Sequence, residues 1–282
     1  MAVQLMQSVP KIIIPKHKKV ITIDTTLNPY VFSEHVDNRM DVHKDKKVSL
    51  QKLRYNCEQI VKYCKAQNQD WIFLITGGEG TGKSTIGRHL AEILDPEFDM
   101  LSQMVYSFNE EYSYLDFIQN FRDKPYRSVL FDEAVTTLFA RNHSSGTVVD
   151  AVKIFNMNRQ LNHFSILIVP SFWGIDIDIR ERRARTMLYV FQDELTFKRK
   201  YAYYSRRKIP NISNSDVARK LFASPSAFIN LVKPNYVESF PKLGRRKEDT
   251  YIGLKADHFT TLIDKLDAKY QKGKRRLKVD EL

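Results

Sequence analysis

Apolar positions along this chain alternate between two periods. Short, almost unbroken apolar runs predict buried strands: "WIFLIT" (71–76), "QMVYSF" (103–108), "RSVLF" (127–131), "FSILIVP" (164–170) and "TMLYVF" (186–191). Between them lie segments with helical spacing. In "SLQKLRYNCEQIVKYCKAQNQ", Leu50, Leu53, Cys57, Ile60, Val61 and Cys64 share one face, with Ser49 as the expected N-cap. "KSTIGRHLAEIL" (83–94) predicts a helix that ends before Pro96. "EEYSYLDFIQNF" (110–121) and "TVVDAVKIFNMNRQL" (147–161) predict two more. Strands apolar on both faces, alternating with helices, predict a parallel sheet covered on both sides. Such sheets bind ligands beyond the carboxyl ends of their strands. The pattern divides the chain into an N-terminal arm (1–47), an α/β core (48–195) and a C-terminal appendage (196–282). The arm holds one or two strands in "KIIIPKHKKVITIDTT". The appendage holds a hairpin in "LTFKRKYAYYSRRKIP" and helices in "NSDVARKLF" and "ADHFTTLIDKLDAKYQKGKRRLK".

Between the first core strand and its helix stands "GGEGTGKST", Gly77 to Thr85. It matches the phosphate-binding loop pattern GxxxxGK[ST] in full and in the right context, after a strand and opening a helix. Glycine lets backbone N–H groups curl round a phosphate, and the helix aims its positive end at the same place. Gly77, Gly78, Glu79, Gly80, Thr81, Gly82, Lys83, Ser84 and Thr85 are therefore the expected nucleotide-binding residues. Lys83 serves the β- and γ-phosphates, and Ser84 offers its hydroxyl to Mg²⁺.

"RSVLFDEA" ends a buried strand on Asp132 and Glu133. Asp132 is expected in the Mg²⁺ shell with Ser84. Glu133 is expected to orient and activate a water. Ser171, just past the 164–170 strand, is either a γ-phosphate sensor or a capping serine. Arg141 and Arg159 flank the helix after Glu133 and are the first candidates for an arginine that stabilises transition-state charge, in cis or from a neighbouring subunit. Arg180, Arg182 and Arg183 are further candidates, and each has an ordinary surface or salt-bridge reading beside the catalytic one.

The strand "QMVYSF", inserted in chain order between the P-loop strand and the Asp132 strand, together with the adjacent glutamate, resembles the additional-strand catalytic-glutamate (RecA-like) class of P-loop NTPases. There is no NKxD guanine signature. "GGEGTGKST", "SVLFDEAVTTLFAR" and "NRQLNHFSILIVPSFWGID" resemble, over about residues 70–193, the P-loop ATPases of viruses and mobile elements, similar to the zonular-occludens-toxin-like and FtsK/HerA groups. The resemblance implies ATP and Mg²⁺ as ligands, hydrolysis of ATP, and a homo-oligomer with nucleotide at subunit interfaces. These groups usually carry glutamine at the sensor position, where this chain has Pro170 and Ser171.

Charge adds a partner. The net charge of +12 is concentrated: residues 196–282 hold twenty-one Lys and Arg against nine Asp and Glu, while residues 51–195 hold sixteen against nineteen. Such asymmetry suggests an acidic polymer, DNA first, rather than a merely soluble face. Lys198, Arg199, Lys200, Arg206, Arg207 and Lys208 are the expected phosphate contacts. Phe197, Tyr201, Tyr203 and Tyr204 either stack on bases or face the core of a hairpin. Cys57 and Cys64 read as reduced core thiols, and no apolar run is long enough to span a membrane. These features suggest a cytoplasmic protein, in the host cytoplasm if viral. The readings that remain are an ATP-driven DNA motor or remodeller, a nucleotide-gated switch or loader, and, more weakly, a small-molecule kinase.

Overall fold

The computed structural model describes residues 50–105, 117–132, 159–257, 260, 263 and 264. The expected N-terminal arm, Ser49, Glu133, Arg141 and most of the 147–161 helix lie outside the described residues.

Seven strands form one sheet in the order β2-β3-β4-β1-β5-β6-β7. They are β1 (Trp71–Gly77), β2 (Met104–Val105), β3 (Ser128–Phe131), β4 (Phe164–Ile168), β5 (Ala184–Gln192), β6 (Arg199–Ser205) and β7 (Tyr236–Ser239). The first five run parallel; β6 adds antiparallel to β5, and β7 adds antiparallel to β6. This is the expected α/β core built on a mostly parallel sheet. "QMVYSF" lies between the P-loop strand β1 and the Asp132 strand β3 in chain order, as expected, while in the sheet the strand between them is β4. β2, the described part of that run, pairs with β3 and, among the described residues, with no other strand. A chain-order insertion does not fix where a strand sits laterally, because long crossovers let a later strand take the inner place.

Alternate side chains of each strand enter two separate cores. Phe73, Ile75, Leu130, Ile166, Leu188 and Val190 pack beneath helices α1 (Gln51–Gln67) and α2 (Lys83–Leu94). Ile72, Leu74, Phe131, Leu167, Met187 and Tyr189 face the other way, against Phe172, Ile179, Ile209, Ile212 and Phe228. Each such side chain removed from water contributes roughly 1.5–3 kcal/mol. Burial on both faces is why the strand sequences read as unbroken apolar runs.

α1 buries Leu53, Cys57, Ile60 and Cys64. Its N-cap residue is Leu50, with φ 70° and no side-chain cap bond, rather than Ser49. Both cysteines are free and buried, and burial pushes each thiol up to about 12, as expected of core thiols. α2 spans the expected residues. Its C-cap, Asp95, is extended because Pro96 follows. The Asp95 carboxylate accepts from Ser128 N at 3.2 Å and from Gln103 Nε2 at 2.8 Å, and pairs with Arg127 Nε at 3.1 Å. This buried network fastens the end of α2 to the start of β3, and so sets Ser84 against Asp132.

The expected boundary at residue 195 falls inside the sheet. β6 pairs with β5 along its whole length, and the described residues on both sides of 195 belong to a single compact unit. β7 also ties this region to α1: Glu238 accepts from Lys52 N at 3.2 Å and Leu53 N at 3.3 Å. The hairpin expected within residues 195–210 is instead one strand, β6, which folds back antiparallel on β5 and so extends the core sheet.

Candidate nucleotide site

The glycine-rich loop leaves β1 at Gly77, whose φ is 142°. A Cβ there would stand 2.0 Å from the carbonyl oxygen of Val190 on β5, so only glycine fits the exit. Gly80 and Gly82 also take positive φ, 69° and 95°, and Gly82 is the N-cap of α2. Among the described residues nothing lies within 4 Å of where a Gly80 Cβ would be, so they leave the crest of the loop open. Gly78, Glu79 and Gly80 are exposed, while Thr81, Lys83, Ser84 and Thr85 are half-buried. Thr81 Oγ1 donates back to Gly78 O at 2.8 Å. Lys83 Nζ bends over the loop and donates to Gly77 O at 3.1 Å and Gly78 O at 2.7 Å. The ammonium is thus held at the centre of the curl.

Opposite it, β3 ends and Asp132 follows, 2% exposed. Its backbone N–H donates to Val105 O at 2.8 Å. Ser84 Oγ donates to Asp132 Oδ1 at 3.0 Å, and Tyr251 OH donates to Asp132 Oδ2 at 2.6 Å. A serine hydroxyl and a carboxylate facing each other at the head of α2 are hard oxygen donors of the kind Mg²⁺ takes, so the expected metal residues fit the ion. Among the described residues there is no group of three or more His, Cys, Asp or Glu that would hold another metal.

Other expected residues sort by the end of the sheet on which they lie. Ser171 is exposed and three residues past β4, on the carboxyl side; it makes no side-chain cap bond, against the capping reading. Arg159 is exposed and precedes β4, whose first residue pairs with Trp71 at the start of β1. That places it about 20 Å, the length of β1, from its own P-loop. Arg180, Arg182 and Arg183 precede β5 on the same far side and hold structure there. Arg180 Nε donates to Ser213 Oγ at 2.7 Å, Arg182 pairs with Asp178 at 3.2 Å, and Arg183 pairs with Asp70 at 2.6 Å.

The six basic residues expected to form one DNA-binding patch fall into two groups at opposite ends of β6. Lys198, Arg199 and Lys200 lie at the P-loop end, where Gln192 pairs with Arg199. Arg206, Arg207 and Lys208 lie at the other. Lys200 pairs with Asp193 at 2.5 Å and holds that carboxylate below its usual range, with help from Thr196. Lys208 donates to Lys233 O. Arg199 is not among the residues expected in the nucleotide site, yet its Cδ lies 3.0 Å from where a Gly82 Cβ would be, beside the Phe240 ring at 3.3 Å. Arg206 and Arg207 are exposed and line a cavity of about 680 Å³ with Tyr63, Trp71, Glu181 and Arg185. Tyr201, Tyr203 and Tyr204 are buried, so the core reading holds for them and base stacking does not. Phe197 alone of the four aromatics is exposed.

A segment well beyond β6 also reaches the site. Residues 245–257 are helical and lie along α2. Arg88 Nη1 donates to Lys247 O at 2.9 Å, and its guanidinium lies 4.3 Å from the Tyr251 ring centre. Lys247 Nζ pairs with Glu92 at 2.7 Å. His89 Nε2 lies 3.0 Å from Pro241 O. The spread of exposed and half-buried positions in this segment carries no motif, so nothing in the sequence marks it.

Among solved structures, the chain is similar to the N-terminal domain of zonular occludens toxin from Neisseria meningitidis. Identity is 14%, covering 63% of this chain and 96% of that one, with a TM-score of 0.41. It is also similar to the genome-packaging NTPase B204 of Sulfolobus turreted icosahedral virus 2 in complex with ATP-gammaS. There identity is 12%, covering 50% and 94%, with a TM-score of 0.38. No family model matches the chain, and no curated protein does.

Proposed function

We propose that this chain is an ATP-hydrolysing, DNA-associated motor or remodelling ATPase. The observation that carries the nucleotide part is the meeting of Ser84 and Asp132 at 3.0 Å beneath an ammonium held over the glycine loop. The loop N–H groups and Lys83 bind and orient the phosphates. Ser84 and Asp132 would hold magnesium, which would supply positive charge to neutralise the phosphates. Glu133, next in the chain to Asp132, takes a proton from the attacking water. An arginine acting at the phosphates comes from Arg141, from Arg199 or from a neighbouring copy in a homo-oligomer, since Arg159, Arg180, Arg182 and Arg183 belong to the far end of the sheet. The DNA part is supported by the charge of residues 196–282 and by the exposed Arg206 and Arg207.

The test is phosphate release by the purified protein with double-stranded DNA, single-stranded DNA or neither, beside Lys83→Ala and Glu133→Gln. DNA-stimulated release lost in both variants is expected. Release that persists in both variants sinks the assignment of the site, and release indifferent to DNA sinks the motor. A nucleotide-gated switch is the second reading, and one observation favours it: the contact of Tyr251 with Asp132.

A further inference from the structure

Both oxygens of Asp132 are taken by donors from this chain, Ser84 on Oδ1 and Tyr251 on Oδ2. The two donors differ in kind. Ser84 is on α2, fixed by the Asp95 network. Tyr251 rides on the 245–257 helix, in which no residue is buried and only Glu248, Tyr251 and Leu254 are half-buried. A segment with so little buried surface opens at low cost. The Tyr251 ring packs against the core beneath α1 and α2, and among the described residues the polar ties of the helix include Arg88 to Lys247 O, Arg88 against the Tyr251 ring, Lys247 to Glu92, and the Tyr251 hydroxyl on Asp132. All of these reach either α2, which begins with Lys83 and Ser84, or Asp132 itself.

We infer that Tyr251 is a latch: its hydroxyl and the hydrated Mg²⁺ of a bound nucleotide compete for Asp132, so that loading the site releases the 245–257 helix. The inference rests on the nucleotide-site reading above. Asp132 would serve the metal through its carboxylate, and the Tyr251 O–H already donates to one of its two oxygens, Oδ2. The coupling is reciprocal, because whatever weakens helix docking strengthens metal-dependent nucleotide binding by the same factor. Nucleotide state is thereby read out in the basic C-terminal region, remote in sequence from the P-loop.

The test uses the full chain and Tyr251→Phe, which keeps the ring on Arg88 and removes only the hydroxyl. Affinity for a non-hydrolysable ATP analogue is measured calorimetrically in Mg²⁺ and in EDTA. Amide exchange of residues 245–257 is followed in parallel. The expected result has two parts. In the wild type, Mg²⁺ with the analogue speeds exchange across 245–257. Tyr251→Phe binds the analogue about tenfold more tightly in Mg²⁺, within the range typical of coupled sites, and unchanged in EDTA. If exchange slows or stays constant, or if the variant binds no more tightly in Mg²⁺, the latch is overturned; binding intact in EDTA then leaves the nucleotide site standing. If the wild type binds the analogue in neither condition, the nucleotide reading itself fails and the latch falls with it.

Discussion

Gly77 meets Val190 across the β1–β5 ladder so closely that a Cβ on the glycine would sit 2.0 Å from the valine carbonyl oxygen. The first glycine of the loop is therefore held by the sheet as well as by the phosphate it serves. Gly77→Ala must both relieve that overlap and strain a φ of 142°, so a loss of about 3 kcal/mol is expected even without nucleotide. Gly80→Ala meets no atom and strains only φ, so its loss is expected at about 1 kcal/mol. Urea unfolding of the two variants decides this: equal losses would mean that the sheet does not hold Gly77.

His163 gives the fold a pH dependence. It is fully buried at the entry to β4, edge-on to Phe117, and among the described residues neither ring nitrogen has a hydrogen-bond partner. Burial first, then the Arg127 charge, lowers its pKa from 6.5 to about 4. The folded state thus holds it neutral while the unfolded chain takes up a proton below pH 6.5. The sign follows: stability is full above pH 6.5 and falls as pH drops towards 4. The loss reaches up to about 3 kcal/mol at 1.36 kcal/mol per pKa unit. His89, also lowered by burial, adds in the same direction. His163→Phe should flatten most of this slope in urea midpoints taken between pH 7 and pH 4; an unchanged slope would remove His163 as its source.

Tyr204 separates packing from recognition. Its ring is fully buried and its hydroxyl has no hydrogen-bond partner among the described residues. Tyr204→Phe should therefore stabilise by about 1 kcal/mol, since it deletes a buried polar group that gains nothing. Tyr204→Ala should cost about 3–5 kcal/mol. Thermal unfolding reads both. A specific loss of DNA binding in a folded Tyr204→Leu protein, with Tyr204→Phe binding as before, would restore the stacking role that burial denies it.

How much of this is legible in the sequence follows from the range of the interaction involved. The glycine loop, Lys83 and Ser84 act within nine residues, and the pattern that encodes them is local. Asp132 is legible because a buried strand must end where its apolar run ends. The lateral order of β2 and β4 is not, since both runs read as buried strands and order is settled by packing between distant segments. Tyr251 is illegible for the same reason: it reaches Asp132 across 119 residues, from a helix without a motif. Arg199 and Arg206 group together by closeness in sequence, whereas a strand carries them to opposite ends of the sheet.

That last separation makes a prediction of its own. Seven residues of β6 at about 3.3 Å each set Arg199 roughly 20 Å from Arg206. Arg199 adjoins Gly82, while Arg206 and Arg207 border the far cavity with Trp71 and Tyr63. One patch would make the three arginines equivalent; two sites make them differ in kind. Arg206→Ala with Arg207→Ala should weaken DNA binding and flatten its salt dependence. The log–log slope should fall by about 0.9 for each phosphate no longer neutralised, or about 0.7 on a single strand. Nucleotide affinity should stay unchanged. Arg199→Ala should show the reverse, with DNA affinity and its salt slope kept and nucleotide binding or turnover reduced. Salt titrations of DNA binding, run beside calorimetry with an ATP analogue, give both axes for each variant. If Arg199→Ala lowers the salt slope as the far pair does, the two ends of β6 act on one nucleic-acid path and the division is wrong.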